Sequence, residues 1–118
     1  MTPGALWAWL IPGYLLTIAI EVPVLLVGLD PRHGWRRRIV AGLWLTAVTY
    51  PIVVVALPLL IWPHASYLAY FAVAEIFAIV AECVLFARVF GGTRRDLWVV
   101  AAANVASAGA GLAWFGLP

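Results

Sequence analysis

Three glutamates stand inside otherwise apolar stretches of the chain: Glu21 in the first, and Glu75 and Glu82 in the run A-S-Y-L-A-Y-F-A-V-A-E-I-F-A-I-V-A-E-C-V-L-F-A of residues 65–87. Carboxylates in a lipid-facing environment are costly, so such acids turn toward a bundle interior or a wet cavity, where they exchange protons, bind cations or bond partner helices. Glu75 and Glu82 are seven positions apart, which on a helix puts them on nearly one face and roughly 10 Å apart along the axis. Two close acids in low dielectric share a proton or require a cation or hydrogen-bond donors.

The elements that position these acids follow from composition. The chain has 118 residues, 66% of them hydrophobic, and a mean hydropathy of +1.07. A water-soluble domain of this size leaves too much surface in solvent to hide that content, so the class is an integral membrane protein and the length gives a single domain, 1–118. Apolar stretches of spanning length predict helices over about 6–29, 39–62, 65–90 and 97–117. The expected architecture is all-α: a polytopic membrane protein forming an antiparallel four-transmembrane-helix bundle with short loops. Pro12 and Pro23 fall inside the first helix, and Pro51 near the middle of the second. Prolines are tolerated in spans when neighbours satisfy the freed carbonyls. At Thr93–Asp96 the last helix starts either after a Thr93 cap or after an Asp96 cap.

All seven basic residues are arginines, clustered in segments 30–38 and 88–96. Their clustering speaks against nucleic-acid binding, which needs a basic solvated face. The positive-inside rule puts both segments in the cytoplasm and both termini outside a bacterial-type inner membrane. The tryptophans fit that scheme, with Trp7, Trp9, Trp62 and Trp114 toward the outer interface and Trp35, Trp44 and Trp98 toward the inner one. Arg36, Arg37 and Arg38 beside Trp35 are candidates for contact with lipid headgroups or a partner.

Counting inward from the basic segments puts Glu21, Glu82 and Asn104 at one depth, roughly 12 Å inside the cytoplasmic boundary at 1.5 Å per residue. Thr46, Thr49 and Tyr50 of the second helix reach about that level, and Ser107 lies one turn from Asn104. This predicts a polar layer shared by all helices, with Glu75 farther toward the outside. Ser107 with Gly111 forms a small-xxx-small pair that permits close helix approach. Cys83, the single cysteine, excludes an internal disulfide. His33 and His64 fall at opposite membrane faces, which disfavours a bis-histidine metal or haem site within one chain, and no phosphate-loop, zinc or EF-hand spacing is present. The sequence names no cofactor and leaves open whether the acids take a metal ion.

Four short helices with a glutamate in the first resemble, in outline, the small multidrug-resistance exporters, where such an acid in a dimer exchanges protons against a cationic drug. The match covers Glu21 and the overall plan. Glutamates also in the third helix, and an arginine bias that specifies one orientation, depart from it.

The reading preferred from the sequence is a small proton- or cation-coupled transporter or channel-like protein, with Glu21, Glu82 and Glu75 as binding groups and Asn104, Tyr50, Thr46, Thr49 and Ser107 in support. Membrane lipids and either a homo-oligomer or other membrane subunits are the expected partners. Two alternatives stand beside it: an accessory subunit whose acids and small residues contact neighbouring helices, and an enzyme acting on lipid with Glu82 as general base.

Overall fold

A computed structural model describes residues 3–61 and 66–115. The helices are α1 (Pro3–Gly28), α2 (Trp35–Pro51), a π-helical turn (Ile52–Ala56), α3 (Leu57–Ile61), α4 (Tyr67–Val89) and α5 (Arg94–Phe115). With α2, the π turn and α3 running end to end, the chain forms four rods, and the whole measures 44 × 22 × 21 Å. The α1 rod packs on α2 and α5, and α4 packs on the same two from the other side. Three rods contain stretches long and apolar enough to cross a membrane: Leu10–Gly28, Trp35–Ile61 and Leu68–Val89. The protein is therefore a small all-α protein with the apolar helices of a membrane protein. The expected turn at Pro63–His64, with Trp62, lies outside the described residues, as do the side chains of Trp9 and Trp114.

α1 passes through Pro12 and Pro23 without a break. Pro51 does disturb its rod. Proline offers no N–H to the carbonyl one turn back and its ring crowds that carbonyl, so the ladder widens. The Ile52 N–H donates to the Thr49 carbonyl, and the Leu57 N–H donates to the Ile52 carbonyl, a five-residue π step. The Tyr70 hydroxyl, from α4, donates to the Val53 carbonyl at 2.6 Å and so satisfies backbone inside the disturbed turn.

Close approach between rods uses two glycines. A methyl group on Gly42 would meet the Val22 side chain at 2.8 Å, and one on Gly28 would meet Val99 at 2.7 Å. Around these contacts Leu25, Leu29, Ala41, Leu45, Phe86, Val100 and Ala103 form a buried apolar plug to which all four rods contribute.

Beyond the plug the loop end is tied by Asp96, which is fully buried. Its carboxylate accepts from the Asp30 N–H at 2.7 Å, the Thr93 N–H at 3.0 Å and His33 Nε2 at 3.1 Å. The Asp96 N–H in turn faces the Thr93 hydroxyl at 3.3 Å, completing a capping box. The helix thus starts at Arg94 after a Thr93 cap, the first of the two expected starts. His33 is itself buried and sets its ring edge-on to Phe86 of the plug.

α2 begins at Trp35, so Arg36, Arg37 and Arg38 occupy its first turn and not a loop as expected from their charge. They are held there by the ends of neighbouring helices, whose last carbonyls lack partners. Arg37 donates to the Phe90 carbonyl at 2.6 Å, and Arg38 donates to the carbonyls of Leu26, His33 and Asp30. Arg36 lies over the exposed Trp35 ring at 5.1 Å. Because the C-terminal ends of α1 and α4 meet the N-terminal ends of α2 and α5 here, neighbouring rods run antiparallel.

Burial alone pushes the Asp96 carboxyl up, but the Asp30 and Thr93 N–H groups and His33 outweigh it and hold the group below its ordinary value. The unfolded carboxyl titrates higher, so this clasp stabilises fully at neutral pH and is lost as pH falls through the folded value. Asp96→Ala, which strands two N–H donors and a buried histidine, is expected to cost about 3 kcal/mol in thermal unfolding at pH 7. The deficit should narrow in acid.

Candidate functional site

On the far side of the plug from the loops the bundle is hollow. A partly open cavity of about 190 Å³ extends from Glu21, Glu82 and Asn104 toward Gly13, Tyr70 and Gly111. Every rod lines it. Glu21 comes from α1, Thr46, Thr49 and Tyr50 from α2, Glu75 and Glu82 from α4, and Asn104 and Ser107 from α5, so the candidate site residues expected from the sequence all face one space.

They meet in pairs across rods. The Ser107 hydroxyl donates to Glu21 Oε2 at 2.7 Å, and the Thr49 hydroxyl donates to Glu82 Oε2 at 2.9 Å. Each hydroxyl also reaches a carbonyl of its own helix at 3.0 Å, Asn104 for Ser107 and Leu45 for Thr49. A hydroxyl has one proton, so it serves one of these acceptors at a time. Asn104 donates to the Val100 carbonyl at 3.0 Å and lines the same cavity as Glu82. Glu21 and Glu82 are 3% exposed and line the inner end of the same cavity. Glu75, half-buried, lines the cavity as well, two helical turns along α4 from Glu82.

Thr46 behaves differently from its neighbour Thr49. Its side chain is 1% exposed and lines the cavity, yet its hydroxyl has no hydrogen-bond partner among the described residues. The Tyr50 phenol lies against Gly13, where any larger residue would collide with it. Beside Ser107, Gly111 borders the cavity, and among the described residues nothing lies within 4 Å of a methyl placed on it. Cys83 is half-buried, its thiol directed at the Leu97 carbonyl at 3.6 Å.

No arginine or histidine lines the cavity among the described residues. Nor do three histidine, cysteine or acidic side chains converge there as a metal cluster. The polar donors at the inner end are carboxylate, hydroxyl and amide groups, which suit protons and hard cations and give no thiolate or imidazole for softer metals. Sequence reasoning missed the Asp96–His33 clasp. Its helix-cap half was signalled by Thr-Arg-Arg-Asp at 93–96, whereas the pairing with His33 has no local signature.

The chain matches no family model, no curated protein and no solved structure.

Gly13→Val should drive a branched side chain into the Tyr50 phenol and destabilise by about 1–3 kcal/mol. The cost of Gly13→Val should shrink in a Tyr50→Ala background, which removes both the hydroxyl and the ring carbon that collide, in a double-mutant cycle read by thermal unfolding.

Proposed function

We propose that the protein is a small membrane transporter that carries a cation, with Glu21 and Glu82 as the binding carboxylates and Glu75 as a station on the way. One observation carries the reading: three carboxylates share a cavity that no described arginine or histidine enters. Acids held in an apolar bundle need a counter-species, and here it has to come from outside the chain, as a proton or another cation. The apolar plug supports a carrier over an open pore, since it closes the path between the glutamates and the loop end. Access from the other side then requires the rods to rearrange, with Gly28 and Gly42 at the contacts that would slide.

In this reading α5 is the fourth span. Its Trp98 and Val105 are exposed on the face away from the bundle, its Val100 and Ala103 join the plug, and its Asp96 ties its start to the loop between α1 and α2. The arginine-rich ends of the rods lie in the cytoplasm of a bacterial-type inner membrane, and both termini lie outside.

Reconstitution into sealed vesicles tests the proposal. A cation gradient, of protons or of alkali ions, should drive counter-flux through the wild-type protein at least about tenfold above empty vesicles, a difference of ~1.4 kcal/mol in barrier. Glu82→Gln and Glu21→Gln should each return the rate to that of empty vesicles while keeping normal insertion and thermal unfolding. Wild-type rates equal to those of empty vesicles for every cation would remove the transport reading.

A further inference from the structure

We infer that the inner end of the cavity is a binding site for a hard monovalent cation, of which sodium is the probe, held by Glu21, Glu82 and the hydroxyls of Thr46, Thr49 and Ser107. The inference rests on the cation-handling reading of the cavity and names the class of ion it takes.

Thr46 points to this first. A hydroxyl at 1% exposure without a partner is unusual, because burying one unpaired costs what its lost hydrogen bonds to water were worth. It borders the same space as Glu21 and Glu82, and an ion coordinated by its oxygen removes that cost. Thr49 and Ser107 add a second, independent argument. When each donates its proton to the carbonyl of its own helix, at 3.0 Å in both cases, the oxygen turns lone pairs toward the carboxylate layer. Both hydroxyls are thus built to serve as donors to a bare carboxylate or as ligands to an ion beside it.

The donor set selects the ion. Two carboxylates and three hydroxyls are oxygen donors only, which favours alkali and alkaline-earth ions over zinc or copper. Calcium calls for six to eight oxygens, commonly with bidentate carboxylates. At this site five side chains supply five oxygens when each carboxylate binds through one, fewer than calcium takes. Two close acids in low dielectric share a proton, so the pair carries one negative charge, which one monovalent ion balances. Glu75 stands apart from the set and is left to guide the ion along the cavity.

Equilibrium binding of radioactive sodium to the purified protein in nanodiscs tests the site. Wild type should retain a single sodium ion per chain, displaced by excess unlabelled sodium and not by choline. Glu82→Gln should abolish retention. Thr46→Val replaces an unpartnered hydroxyl with a methyl, so it should unfold at or above the wild-type temperature and yet bind sodium about tenfold more weakly. Thr46→Ser, which restores the oxygen, should recover binding. Equal affinity in wild type and Thr46→Val overturns the assignment, as does calcium displacing sodium at lower concentrations than sodium itself. Failure of wild type to retain sodium, with Glu82-dependent proton uptake into vesicles, sinks this site and leaves the transport reading standing. Absence of both removes the two together.

Discussion

A carboxylate inside an apolar bundle has to find in the protein what water would otherwise supply, and the rest of this structure is arranged around that requirement. Glu21 and Glu82 are solvated from other rods: Ser107 of α5 serves the first, while Thr49 of α2 serves the second. No rod could hold its acid alone. The layer therefore dictates which helices are neighbours, and it leaves between them the space that an all-apolar interface would have closed. Thr49 and Ser107 also stay on their own backbones, so the layer can change its hydrogen-bond pattern without moving a helix.

The two ends of the bundle deal with polarity by opposite means. At the loop end Asp96 is saturated by two backbone N–H groups and His33, arginines cover the terminal carbonyls of α1 and α4, and the apolar plug seals what remains. That end is a fixed structural closure. At the glutamate layer, among the described residues, no arginine or histidine lines the cavity and the Thr46 hydroxyl has no hydrogen-bond partner. A carboxylate surrounded by donors is a strut, whereas carboxylates short of them form a receptor. The contrast within one short chain supports reading Asp96 as architecture and Glu82 as chemistry.

Much of this layer was legible in the sequence because depth in a membrane helix is a matter of counting. A fixed rise per residue, measured from two arginine clusters, brings Glu21, Glu82 and Asn104 to one level before any contact is known. Rotation about the helix axis is harder to read, and it decides partners: the Tyr50 phenol lies against Gly13, and Gly111 borders the cavity. The arginine cluster 36–38 misled in another way. Charge marked it as loop, yet its side chains are long enough to start α2 and still reach the carbonyls of the neighbouring helices. The widening after Pro51 was not foreseen, since proline removes a bond wherever it occurs and only the neighbours decide whether the ladder bends, widens or continues. In α1 it continues through two prolines.

The pairing of Glu21 with Ser107 spans 86 positions of chain, from the first rod to the last. For a protein inserted as it is synthesised, this fixes an order of events. The first acid enters lipid long before the hydroxyl that will serve it has been made, and the Asp96 that fastens Asp30 and His33 arrives only with the last helix. Until α5 is made, the chain carries an unserved acid and an open loop end, and both are closed when that helix docks.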